Sequence, residues 1–249
     1  MNKLKIQAFT LSEVLITLAI IGVVAALTLP IFVSKYNKFI TETRLKKFYS
    51  EINQAITMAE ADYGAKELWE MQDTDYFWST FLEPYMKYLK TEDFTYRGRI
   101  KKIIYLVNGS AFVVDIYNYA KETDEGEFEI QYYTDGGHFL FCPVAKYCTQ
   151  EHFSGNIYGD ATGLRQFAFG FWPNDTSQVA AQYSYHKNKG VEPYLVGWDG
   201  EYETFFNKTL GRGCKDLATA NNSTASNEYC TAIIWYNRWK VPDDYPLKF

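Results

Sequence analysis

The chain has 249 residues, of which 47% are hydrophobic, 18% aromatic and 22% charged. That composition excludes a disordered or collagen-like polymer and supplies a core for one ordinary domain or two small ones. The net charge is −5, from 25 Lys and Arg against 30 Asp and Glu. With no basic tract, the sequence predicts no nucleic-acid partner, because phosphate contacts dominate that affinity.

The first element is almost purely apolar. From Val14 to Val33 there are 20 residues without a charge. As a helix rising about 1.5 Å per residue, they span roughly 30 Å, the thickness of a bilayer core. A run apolar on every face does not suit the core helix of a globular domain. Nor does it suit a cleaved secretory signal. Ala8, the small residue at a plausible junction, precedes the run, and no A-x-A in a polar setting follows it. The run is expected to stay in the mature protein. Lys3 and Lys5 ahead of it fit a cytoplasmic leader. Lys35, Lys38, Arg44, Lys46 and Lys47 follow it, so charge alone does not orient the chain. Glu13 stands inside the apolar segment, where a carboxylate near a bilayer core costs on the order of a few kcal/mol and is normally paired. No Lys, Arg or His lies between Ala8 and Ser34. Its partner must come from elsewhere, unless Glu13 sits solvated at headgroup level. A cut between Ala8 and Phe9 would create an α-amino group four residues from Glu13. The amine of a neighbouring chain, staggered by a short axial step, would then be within reach.

Ala8-Phe9-Thr10-Leu11-Ser12-Glu13, with its basic leader and long apolar helix, resembles the class III prepilin signal of type IV pilins and type II secretion pseudopilins. Pro30 falls 22 residues into the chain counted from Phe9, where many of these proteins carry a helix-bending proline. The resemblance covers residues 1–35 closely and 36–64 in pattern. It implies a non-enzymatic filament subunit without a cofactor, anchored by a single pass in the bacterial inner membrane. The C-terminal domain would lie outside the cytoplasm, and the filament in the periplasm or on the cell surface. A prepilin peptidase would cut between Ala8 and Phe9 and methylate the Phe9 amine. Glu13 would pair with the amine of an adjacent pilin or pseudopilin subunit. Two residues depart from the pattern. Ala8 replaces the usual Gly, and its extra methyl is expected to slow cutting. Ser12 replaces an aliphatic residue, and its hydroxyl is expected to bond the Glu13 carboxylate.

The helix pattern resumes beyond Pro30, which removes one hydrogen bond and is expected to bend or locally melt the helix. Leu45, Phe48, Ile52, Ile56, Ala59 and Tyr63 form an amphipathic stripe, and Gly64 is a plausible stop. One helix from Thr10 to Tyr63 would be roughly 80 Å long. Ala19, Gly22 and Ala26 offer small surfaces for close helix packing. The divisions expected are a leader (1–8), a membrane and filament-core helix (9–33), its amphipathic continuation (34–64) and a globular domain (65–249).

In the globular part, Asp73-Thr74-Asp75 predicts the cap of a helix carrying Phe77, Phe81, Leu82, Tyr85 and Leu89. Lys102–Val107, Asn108-Gly109 and Ser110–Tyr117 read as a hairpin with a type I′ turn. Glu127–Tyr133, Asp135-Gly136-Gly137 and His138–Cys142 read as a second hairpin. Gln166–Trp172, Gln182–His186 and Pro193–Trp198 are shorter strand candidates, and Glu228–Lys240 reads as a helix. The expected class is α+β, a long N-terminal helix packed on an antiparallel β-sheet, as in pilin-like folds.

Four cysteines allow three connectivities. Local pairing, Cys142 with Cys148 and Cys214 with Cys230, is expected in an oxidising compartment. The rival readings are a zinc site at Cys142, Cys148 and His152, whose spacing fits poorly, and reduced buried thiols. His138, His152 and His186 have no spaced partners, and no H-E-x-x-H, Walker A, G-x-S-x-G or C-x-x-C occurs. Asp160-x-x-Gly163 and Asp243-Asp244 do not follow an EF-hand spacing. Two other functions compete with the filament subunit. One is a single-pass anchored binding module, the other an anchored enzyme with its site in loops 154–226.

Overall fold

The computed structural model describes residues 10–96, 98–117, 120–122, 128–130, 136–149, 162–174, 180–207, 211–215 and 227–249. The chain divides into two units, Met1–Phe39 and Ile40–Lys248. Helix α1, Leu11–Tyr63, contributes to both. It runs through Pro30 without a break in helical structure, so the local melting expected there does not occur. It ends where Gly64, with φ +81°, adopts a left-handed conformation and donates its N–H to the Glu60 carbonyl at 3.0 Å.

In the first unit, the apolar side chains of α1 from Leu11 to Val33 are exposed apart from half-buried Ala25. In the second unit, Leu45, Phe48, Ile52, Ala55, Ile56 and Ala59 are buried at helical spacing, the stripe that the periodicity predicts. Tyr63 is the exception, half exposed with its ring edge on Phe81.

Eight strands follow among the described residues. β1 (Tyr88–Tyr96), β2 (Arg99–Leu106), β3 (Ala111–Tyr117), β6 (Gly136–Cys142), β7 (Phe167–Phe171) and β8 (Glu192–Pro193) form one antiparallel sheet in that order. β4 (Ala120–Glu122) and β5 (Phe128–Ile130) form a separate two-stranded sheet. The arrangement is the expected α+β fold, pilin-like in layout. Phe48 of α1 lies 4.5 Å from Phe141, 5.1 Å from Phe112 and 5.2 Å from Phe169, so α1 covers a phenylalanine face of β3, β6 and β7. Short helical turns cover the same face. α2 (Thr74–Phe77) places Phe77 5.6 Å from Phe171, and Trp69 stacks on Phe81 at 4.1 Å.

Side chains alternate along a strand, so His138 and Leu140 of β6 point away from α1. That second face is also buried. His138 meets Trp172 at 5.1 Å and Tyr194 at 5.4 Å, and Trp172 meets Tyr183 and His186 at 4.8 and 5.1 Å. Tyr183 ends helix α3 (Ala180–Tyr183), and the chain closes through α4 (Cys230–Tyr236). Asp115 on β3 carries the buried positive charge of Lys101, with Arg99 at 3.5 Å.

Several expected elements differ. The β2–β3 hairpin forms, but Tyr105 pairs with Ala111 and only Gly109 of the turn has positive φ. A type I′ turn needs positive φ at Asn108 as well. Leu106 N–H instead bonds Ser110 O across a three-residue loop, and Asn108 Oδ1 accepts from the Ser110 N–H and hydroxyl. The second hairpin does not form as expected. β5 pairs with β4, whereas β6 begins at Gly136 and pairs with β3 and β7. Its proposed turn glycines are strand residues, and a Cβ on Gly137 would meet the Asp115 carbonyl at 2.2 Å. Asp73 caps its helix through Tyr76 N–H at 2.8 Å, but the helix stops at Tyr85 after a wide turn and a tight one. Leu89 lies in β1, which the sequence does not announce. Gln182–His186 is helical rather than extended, Pro193–Trp198 keeps one strand residue, and the last helix is seven residues long.

Candidate functional site

The N-terminal motif is built on the start of α1. Thr10 is the N-cap, and its hydroxyl accepts the Glu13 N–H at 3.3 Å. Glu13 Oε2 returns to accept the Thr10 N–H and the Thr10 hydroxyl, both at 2.8 Å. This is a capping box, which satisfies two N-terminal donors reciprocally. Thr10-Leu11-Ser12-Glu13 carries its signature in the sequence, and reading Glu13 as a buried charge passes over it. The partner of the carboxylate is Thr10, not Ser12 as expected. Both bonds end on Oε2, and among the described residues none reaches Oε1. The carboxylate therefore keeps acceptor capacity for a cation from outside its own helix. Ala8 and Phe9 lie outside the described residues.

Beyond the cap, the exposed stretch is long and apolar enough to cross a membrane. A Cβ added at Gly22 would meet nothing within 4 Å, so the glycine is not required by its own chain. It leaves backbone open to close approach by another helix.

The other candidate residues separate from this motif. Cys142 is bonded to Cys148 and Cys214 to Cys230, the local pairing. Thiolates tied in a disulfide cannot ligate zinc, which removes the zinc reading; His152 and Asp160 lie outside the described residues. Among the described residues no group of three or more His, Cys, Asp or Glu could hold a metal ion. His138 and His186 are brought together around Trp172 in the layer over the second sheet face. Burial pushes the His186 imidazole down to about 3, with Lys189 adding to the shift and the Gly170 backbone opposing it. Burial also holds His138 well below the ordinary range, with the Lys101 and Arg99 charges reinforcing it. His186 Nε2 accepts the Leu195 N–H at 3.2 Å. The neutral His186 imidazole ties its own turn to the loop that follows β8.

A family model for the prokaryotic N-terminal methylation motif matches residues 3–29. This is the signal of type IV pilins and pseudopilins, and it covers the capping box and the exposed apolar helix just described. A second model, described as a family of unknown function (DUF6613), matches residues 31–249. No curated protein and no solved structure matches the chain. The chain belongs to that second family, DUF6613, over its amphipathic helix and sheet domain, and carries the type IV pilin-like methylation motif at its head.

Proposed function

We propose that the protein is a membrane-anchored subunit of a type IV pilin-like filament, either a surface pilus or a type II secretion pseudopilus. The observation that carries this reading is the methylation motif at residues 3–29, continued by a helix whose large apolar side chains from Leu11 to Val33 are exposed among the described residues. A prepilin peptidase cuts between Ala8 and Phe9 and methylates the new amine. The subunit then leaves the inner membrane laterally, and residues 9–33 are buried against copies of themselves or related subunits. Small residues such as Gly22 and Ala26 allow close backbone approach. Pro30 is the point at which the helix can flex, because it lacks a donor. The Phe9 amine of one subunit meets the Glu13 carboxylate of the next.

Intact-mass and N-terminal analysis of the protein from its native membrane tests this reading. The expected chain starts at N-methyl-Phe9, and a chain still starting at Met1 overturns processing. The capping box separates the two tasks of Glu13. Glu13→Gln keeps an acceptor for Thr10 and removes the charge. It is expected to leave cutting and folding intact while lowering filament incorporation at least tenfold, and Glu13→Ala is expected to lower it as well. Normal incorporation of the Gln variant would show that the charge has no assembly role.

A further inference from the structure

Lysine is almost never fully buried, yet one is buried on the sheet face that turns away from α1. Lys101 of β2 is 1% exposed and Asp115 of β3 is 2% exposed. Lys102 pairs with Val114, and the next position along the ladder sets Lys101 across from Asp115. The Lys101 amine bonds Oδ2 of the carboxylate. Arg99 reaches the same oxygen at 3.5 Å. Oδ1 is buried and accepts no hydrogen bond among the described residues. The Tyr96 ring, its centroid 5.2 Å from the amine, walls one side. The row continues across the sheet, since Asp115 pairs with His138 of β6. Opposed residues hold their Cβ atoms about 5 Å apart, so the imidazole stands beside the carboxylate.

A buried ion pair is the ordinary content of such a place, but this one is poorly built for it. Two ions taken out of water are repaid only when their remaining lone pairs and protons are also satisfied. Here two cations crowd Oδ2, and Oδ1 is left without a donor among the described residues. The same arrangement suits a covalent end. In a dry site a proton passes from an ammonium to a carboxylate at little cost, because two charges vanish together. That leaves an amine against a carboxylic acid, the two groups that make an amide. Holding them in contact replaces a high concentration of either.

We infer that Lys101 and Asp115 condense into an isopeptide bond that staples β2 to β3. The Nζ–Cγ bond forms and the Cγ–Oδ2 bond breaks. The ammonium gives one proton to Oδ2, and the amine adds to Cγ. A second proton then passes from nitrogen to Oδ2, which leaves as water. One ammonium and one carboxylate become one amide and one water, so no oxidant or other reactant is needed. Arg99 is the cation that faces the negative charge on Asp115 during addition. Burial keeps the His138 imidazole neutral. A neutral imidazole has both a donor and an acceptor, so it takes the proton from nitrogen and returns one to the leaving oxygen. The staple lies within the six-stranded sheet and fixes the β1–β2 edge pair to its centre. Unlike the two disulfides, it survives reduction.

The test is the intact mass of the full-length chain, extracted from its membrane in detergent, then reduced and denatured. The expected value is one water below the mass calculated from whichever residue the chain starts at, so N-terminal processing does not enter. Lysine-specific digestion should fail to cut after Lys101 and should release a branched peptide that joins β2 to β3. Lys101→Arg keeps the cation and lacks the amine, so its chain should return to the full calculated mass. Newly made wild-type chains should start at full mass and lose the water with time. His138→Gln removes the proton carrier and should slow that loss about a hundredfold, read on chains that keep both disulfides. A wild-type chain with both disulfides formed and its full mass holds only an ion pair, and overturns the inference. So does a missing water on an unbranched peptide, which marks a cyclic imide at an aspartate. A branched peptide joining other residues, or a deficit that persists in Lys101→Arg, overturns it equally. Loss of water at the wild-type rate in His138→Gln overturns the proton route through that histidine.

Discussion

His186 shows how a single side chain sets conditions for the whole sheet domain. Its pKa in the folded chain, pushed down to about 3 by burial, lies below the value of about 6.5 for an exposed histidine. The unfolded chain therefore takes up the proton first. The stabilisation is complete above about pH 6.5 and is lost as pH falls towards 3. Each unit in that window costs about 1.4 kcal/mol per titrating histidine, and His138 acts in the same direction. The melting temperature is expected to fall steadily from pH 7 to pH 4.5. His186→Gln should flatten the slope while lowering stability at pH 7, because it keeps an acceptor for the Leu195 N–H without a basic group. An unchanged slope would place the acid sensitivity elsewhere. Both histidines are plain in the sequence, but their neutrality is not. It comes from the burial of both rings around the indole of Trp172, with the Lys101 and Arg99 charges adding to the effect on His138.

At the scale of elements, legibility follows the strength of the periodic signal. α1 is readable to within a residue at its start because its apolar run and its buried stripe are both long. The β2–β3 hairpin is readable from Asn108-Gly109, although the turn takes an extra residue. β1 is hidden because an edge strand with Lys90, Glu92 and Asp93 lacks the alternation that marks a half-buried strand. The glycines before His138 look like a turn and are strand residues for a tertiary reason. Trp172 would meet a Cβ on Gly136 or Gly170, so the glycines make room for the indole. The C-terminal helix is fixed covalently as well as by packing. Cys214–Cys230 closes a loop with a sequence separation of 16, and Cys142–Cys148 one of 6. Replacing the first pair by serine is expected to cost about 3 kcal/mol and the second about 2 in urea unfolding. Phe48→Ala, which empties the centre of the phenylalanine face, should cost about 3 to 5 kcal/mol, at least as much as losing the Cys214–Cys230 disulfide.

The whole molecule joins two units with opposite solvent requirements. The domain from Ile40 onward has its own core and both disulfides, so a chain beginning at Ile40 is expected to fold in water with both bonds formed. Its melting temperature should match that of the full chain in detergent to within a few degrees. A fragment without a cooperative transition would show that the first unit is needed for folding. The order of the sheet bears on how many such domains can live side by side. It ends at β1, nine residues long, and at β8, two residues long. An edge strand is a template for unwanted pairing when copies are crowded. β8 is too short to recruit a neighbour. β1 carries an ion pair between Lys90 and Glu92, with Asp93 held by Lys102 at 2.6 Å. An incoming strand would have to strip water from those charges. Crowded copies of the sheet domain are thus expected to lie side by side without their sheets fusing into amyloid-like ribbons, and neutralising the charges of β1 should make a concentrated solution of the domain aggregate irreversibly.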